Sequence, residues 1–111
     1  MNIDVLTIFP DMFAPLGMSV IGRARQAGKL GIRITDIRPF SKSKHKNTDD
    51  YPFGGGAGML MTPQPIMDAI RAVSPDPYPG KRILMSPRGL TLTQEIANEL
   101  SREENLLILC G

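Results

Sequence analysis

This sequence is poor in the residues that disulfides, metal centres and membrane spans require. It holds one cysteine, Cys110, and one histidine, His45. A lone cysteine cannot close an internal disulfide, which points to a reducing compartment, the cytoplasm. One histidine and one cysteine make no zinc site of the usual spacing. No apolar run approaches the roughly 18–20 residues that cross a bilayer, so no membrane partner is expected. The opening Met1-Asn2-Ile3-Asp4 lacks the basic start and apolar stretch of a secretory signal. Familiar catalytic signatures are missing as well. There is no Gly-x-Ser-x-Gly turn for a serine nucleophile. No Gly-Lys-Ser/Thr follows the glycine-rich stretch, and the Gly-x-Gly-x-x-Gly pattern of dinucleotide sites is absent.

The 111 residues fit one domain, long enough to bury a core without staples. An apolar share of 41% and a charged share of 22% are those of an ordinary globular chain. Net charge is only +2, but it is unevenly spread. Between positions 23 and 46 lie Arg23, Arg25, Lys29, Arg33, Arg38, Lys42, Lys44 and Lys46, against the single acid Asp36. Such a concentrated positive segment suits a polyanion such as RNA, or is a solvated basic face.

Apolar runs alternate with helical patterns. Ile3 to Phe9 is a short run that Pro10 ends, and it reads as a buried strand. Met12, Phe13 and Leu16 suggest a short helix. Ser19 is placed to cap a second helix, in which Val20, Ile21, Ala24 and Ala27 share a face and which Gly28 and Gly31 stop. A second strand runs from Ile32 to about Arg38. Residues 39–62 form an unusually long connection. Thr62 and Pro63 open the next helix as cap and first position, with Ile66, Ala69, Ile70 and Val73 on one face. Ser74 to Gly80 is turn-rich. A third strand spans Arg82 to Ser86, Thr91 and Gln94 form a capping-box pattern for a helix through Leu100, and a fourth strand spans Leu106 to Cys110. This alternation predicts an α/β fold with a mostly parallel sheet. The sequence then stops at Cys110-Gly111, where a strand leads into a loop, so more of the domain is expected to follow.

Three places carry candidate chemistry. Gly54, Gly55, Gly56 and Gly58 let a backbone approach a ligand closely, or mark a flexible linker. The apolar Met59-Leu60-Met61 that follows favours a binding loop. Asp49 and Asp50 could accept the paired N–H donors on the edge of a guanine, or could simply be solvated. His45 lies among lysines that disfavour its cationic form, and a solvated loop residue is its commoner fate. Leu84-Met85-Ser86-Pro87-Arg88-Gly89 sits at the carboxyl end of a presumed strand, where α/β sheets bind ligands, though an ordinary turn has the same pattern. Cys110 reads as a small buried hydrophobe with no partner for nucleophilic chemistry.

Several segments together resemble one family. They are Phe9-Pro10-Asp11-Met12-Phe13, Ile21-Gly22-Arg23-Ala24, the long run from His45 to Met61 containing Asp49-Asp50-Tyr51-Pro52-Phe53-Gly54-Gly55-Gly56-Ala57-Gly58, Leu84 to Gly89, and Ile108-Leu109-Cys110-Gly111. In order and spacing these are similar to the bacterial tRNA (guanine-N1)-methyltransferase family, and they cover the chain but less than half of a typical member. The resemblance implies a trefoil-knotted SPOUT-type α/β domain, with the knot incomplete here, working as a homodimer. It implies transfer of a methyl group from S-adenosylmethionine to N1 of the tRNA guanosine next to the anticodon. Carried over by position, Leu84, Met85, Ser86, Pro87, Arg88 and Gly111 would line the adenosyl pocket. Asp49 and Gly58 would face the guanine, His45 would lie near the RNA, and Arg23 would help build the dimer or the RNA surface. The resemblance also suggests magnesium dependence, although nothing in these residues locates a metal.

Three positions depart from the family's common pattern. Arg88 replaces glutamine, Ala57 replaces proline, and Phe53 replaces tyrosine. The aspartate that the family uses as general base has no counterpart in these residues, so this stretch alone is not expected to catalyse. Two other functions fit parts of the pattern. One is a non-enzymatic RNA-binding module built on positions 23–46 and the glycines. The other is a nucleotide-binding domain using only the strand-end loops.

Overall fold

The structure, a computed structural model, describes residues 1–42, 49–50 and 60–110. In chain order its elements are β1 (Asn2–Thr7), a 3-10 segment (Pro10–Gly17), α1 (Ser19–Gln26), β2 (Gly31–Asp36), a 3-10 turn (Arg38–Phe40), β3 (Asp49–Asp50), β4 (Leu60–Met61), α2 (Pro63–Val73), β5 (Lys81–Leu84), α3 (Gln94–Ser101) and β6 (Asn105–Leu109). Four strands form one parallel sheet in the order β2-β1-β6-β5. The short strands β3 and β4 pair antiparallel, Asp49 opposite Met61 and Asp50 opposite Leu60. The α/β class and the parallel sheet match the sequence reading.

Register and side-chain alternation divide the sheet into two faces. Leu6 of β1 stands beside Leu109 of β6, with Leu107 on the same face. These side chains meet α2: Leu6, Ile37, Ala69 and Leu107 form the buried core, flanked by Ile66, Ile70, Val73 and Phe40. Complete burial of Leu6 and Leu107 contributes about 1.5–3 kcal/mol each. The opposite face carries Val5 and Leu106, also buried. Parallel crossovers are right-handed. Across the observed strand order, the β1–α1–β2 and β5–α3–β6 connections run one way and the connection through α2 runs the other. Handedness therefore sets α1 and α3 on one face and α2 on the other.

Local details correct the sequence reading in places. Ser19 does not cap α1. Met18 holds the cap position with no side-chain bond, and Ser19 itself takes φ +59°, a left-handed conformation costly for a residue with a side chain. The helix before β6 starts later than the Thr91–Gln94 pattern predicts. Thr93 is its cap, its hydroxyl accepting from Ile96 N at 3.2 Å, while the Gln94 amide donates to Asn98 Oδ1 at 3.0 Å instead of reaching back. Thr62 and Pro63 do occupy the cap and first positions of α2, without a side-chain cap bond. Gly28, at φ +74°, ends α1 as expected.

The turn-rich stretch between α2 and β5 is fastened by one side chain. Arg82 donates through Nη2 to Ser74 O at 2.5 Å and to Asp76 Oδ1 at 2.8 Å, and through Nε to Ser74 Oγ at 3.1 Å. Its guanidinium also lies 5.0 Å from the centre of the Tyr78 ring. Burial, and next the charge of Asp4, push the Tyr78 hydroxyl pKa upward, while Arg82 opposes the rise.

Candidate functional site

Parallel packing brings the carboxyl ends of four strands to one edge of the sheet, the edge where such folds bind ligands. Hydrogen bonding continues past the strands there. Met85 N donates to Leu109 O at 3.0 Å, Cys110 N to Leu6 O at 2.9 Å, and Ile37 N to Thr7 O at 3.0 Å. The end of β5 thus lies beside the end of β6, with Leu84 opposite Leu109.

Beyond Met85 the chain turns sharply. Gly89 N donates to Ser86 O at 3.1 Å, and the Ser86 hydroxyl accepts from Arg88 N at 3.2 Å. Ser86, Pro87 and Arg88 are exposed. Leu84 and Met85 are 66% and 59% exposed, large values for apolar side chains at the end of a sheet. Leu90 and Leu92, in the connection to α3, are exposed too. An apolar strip beside an exposed turn can hold a flat heterocycle: the side chains cover its face, and backbone groups meet its edge. Cys110 is half-buried, and burial pushes its thiol pKa up, away from thiolate chemistry.

The structure therefore brings Leu84, Met85, Ser86, Pro87 and Arg88 together with Leu109 and Cys110. It does not describe His45, Gly58 or Gly111, which lie outside the described residues. Asp49 is described only as backbone, in β3. No group of three or more histidine, cysteine, aspartate or glutamate side chains suited to a metal occurs among the described residues. None of the described helices is long and apolar enough to cross a membrane.

Two polar arrangements near this edge were not legible in the sequence. At the end of β2, Asp36 Oδ1 accepts Arg38 N at 2.9 Å, and both carboxylate oxygens receive the Arg38 guanidinium at 3.0–3.2 Å. The Arg38 hydrogen bond, against a smaller opposing effect of burial, holds the Asp36 carboxyl below its ordinary value. The Asp-x-Arg spacing was its only signal. The second arrangement centres on Gln64, whose amide reaches Phe40, Lys42 and Asp68.

The basic segment is less free than its charge count suggests. Arg33 pairs with Asp4 at 2.5 Å and Arg38 with Asp36 at 3.0 Å. Arg25 donates to the carbonyls of Leu16 and Ile32 at 3.3 and 3.4 Å. Arg23 is exposed on α1.

Sheet topology, exposed strand-end turn and apolar strip define a parallel α/β domain with a candidate site at the carboxyl edge of its sheet. Residues 1–111, the whole chain, match the family model described as tRNA (Guanine-1)-methyltransferase TrmD, and the chain belongs to that family. A tRNA (guanine-N(1)-)-methyltransferase of Clostridium perfringens is 55% identical over 111 residues, covering all of this chain and 47% of that protein. One of Clostridium acetobutylicum is 51% identical, and one of Leuconostoc mesenteroides 50%, each match covering all of this chain and 46% of the relative. The chain spans about half the length of the curated relatives it matches. The parallel α/β architecture is consistent with the SPOUT-type domain that the resemblance implied.

Proposed function

We propose that this chain is the N-terminal part of a SPOUT methyltransferase domain that transfers a methyl group from S-adenosylmethionine to N1 of the tRNA guanosine next to the anticodon. The observation that carries the reading is the exposed Leu84–Arg88 turn at the end of β5, in a chain that belongs to the TrmD family throughout its length.

In this reading Leu84 and Met85 cover the adenine face, and backbone groups from Ser86 to Arg88, with Gly111, hold its edge. Support comes from the exposure of the turn and of its apolar neighbours Leu84 and Met85, each more than half exposed. The methyl donor supplies an electrophilic sulfonium methyl. By position in the family pattern, Asp49 and Gly58 receive the guanine, and His45 serves the RNA. The Asp49 carboxylate can accept from two adjacent guanine donors, which a lysine cannot do. Guanine N1 carries a proton at neutral pH, and a base must remove it as the nitrogen attacks. No residue of this chain is assigned as that base. Among the described residues no cluster of three or more histidine, cysteine, aspartate or glutamate side chains is placed to hold magnesium.

A homodimer and a cytoplasmic location complete the proposal. Exposed Met12, Met18 and Val20 offer apolar surface to a second copy, and the single free cysteine suits a reducing compartment. The alternative of a purely electrostatic RNA-binding module is weakened by the ion pairs of Arg33 and Arg38 and by the carbonyl bonds of Arg25.

Calorimetric titration of S-adenosylmethionine into the full-length protein tests the reading. The wild type should bind, and Ser86→Trp, which fills the turn, should abolish binding while the protein stays folded. Absence of heat from the folded wild type would defeat the proposal.

A further inference from the structure

The Gln64 side chain makes three hydrogen bonds, and together they admit one orientation of its amide. Nε2 donates to Phe40 O at 2.6 Å and to Asp68 Oδ2 at 2.6 Å, while Oε1 accepts from Lys42 N at 3.1 Å. A flipped amide would set its oxygen against a carbonyl and a carboxylate, and its NH2 against an N–H. Asp68, one helical turn further along α2, is itself held by Arg71 Nη1 at 3.4 Å. Gln64 is half-buried at the second position of α2, next to Pro65, which is fully buried. The bonds to Phe40 and Lys42 span 24 and 22 residues of sequence.

This clasp therefore ties the chain leaving the 3-10 turn Arg38–Phe40 to the first turn of α2. Three residues before Gln64 is Met61, whose backbone partner across the β3–β4 ribbon is Asp49. The start of α2 thereby constrains where β4 ends, at Met61, and so bears on the pairing of Met61 with Asp49.

We propose that Gln64 is a positioning residue for tRNA methylation, acting through the β4–β3 pairing on Asp49. The proposal rests on the reading of Asp49 given under Proposed function. Misplacing a group by about an ångström costs up to about a hundredfold in rate. Gln64→Ala should thus lower kcat/KM for tRNA about tenfold to a hundredfold. KM for S-adenosylmethionine, which is held at the far strand ends, should change less than twofold.

Gln64→Glu keeps the shape and the acceptor but turns a carboxylate toward Phe40 O and Asp68, so it should lose a similar factor. Adding Asp68→Asn supplies a donor to that carboxylate and should recover part of the loss, because Phe40 O still faces a carboxylate; the split between the tRNA and S-adenosylmethionine constants is what a merely structural role for Gln64 does not predict. The assay uses full-length protein and an unmodified tRNA transcript, with thermal melting of each variant and Asp49→Asn run in parallel. A folded Gln64→Ala variant with tRNA kcat/KM within twofold of wild type overturns the proposal. So does an equal rise in both KM values accompanied by a lowered melting temperature. If Asp49→Asn is itself silent, the reading of Asp49 has failed and the proposal falls with it. If Asp49→Asn is damaging while Gln64→Ala is silent, only the clasp has failed.

Discussion

Gly80 lies one residue before β5, where that strand begins to run beside β6. A Cβ added at this position would sit 2.1 Å from Asn105 O, 2.8 Å from Asn105 C and 2.9 Å from Asn105 Cβ. Two of those atoms are backbone of β6, and Asn2, in β1, pairs with the same residue from the other side. The clash cannot be relieved by turning a side chain, so one strand must shift. Forcing extra atoms into a packed site costs about 1–3 kcal/mol, whereas Gly→Ala at a permitted backbone angle stabilises by about 0.4–1 kcal/mol through the unfolded chain. The clash wins, and Gly80→Ala should destabilise by about 1–2 kcal/mol net. Urea unfolding of the full-length protein, with m of about 1–3 kcal/mol/M, should place its midpoint about 0.3–2 M below wild type. Gly17→Ala is the control, because an added Cβ there meets nothing within 4 Å. It should be neutral or slightly stabilising. A Gly80→Ala midpoint at or above wild type would refute the close approach of β5 and β6.

Arg82→Lys keeps the charge but loses the fork that holds Ser74 O, Ser74 Oγ and Asp76 together, and should cost about 1–3 kcal/mol in chemical unfolding. A loss too small to measure would show that the α2–β5 connection does not need the fork. Asp36 is held below its ordinary pKa chiefly by Arg38, so its contribution is present above the unfolded-state value of about 3.9 and is lost as pH falls through the lower folded-state value. The stability gap between wild type and Asp36→Ala should therefore narrow as pH falls below about 4. A gap that stays constant down to about pH 2 would contradict the pairing.

The sheet was legible because its strands are short apolar runs bounded by proline, glycine and polar residues. Ile3 to Thr7 and Leu106 to Leu109 could not be mistaken once the intervening segments showed helical spacing. Strand ends were less legible, because ladder bonds such as Met85 N to Leu109 O continue where the strand geometry has stopped. The start of α3 was misplaced because Thr91 and Thr93 offer equivalent hydroxyls, and only the packed chain selects Thr93. Ser19 was misread because its side chain favours a cap, while the backbone there, between the closely approaching Gly17 and Gly22, takes positive φ. The β5 turn was visible in Ser86-Pro87-Arg88-Gly89. The Gln64 clasp was not, because it joins residues more than twenty apart that share no periodic pattern.

Product analysis decides whether the protein methylates N1 of guanosine in tRNA. Full-length protein is incubated with isotope-labelled S-adenosylmethionine and unmodified tRNA, the RNA is digested to nucleosides, and the labelled product is identified by mass spectrometry. The wild type should yield labelled N1-methylguanosine, and the folded Ser86→Trp variant none. Label on any other base or atom, or equal yield from the two proteins, would contradict the proposed function.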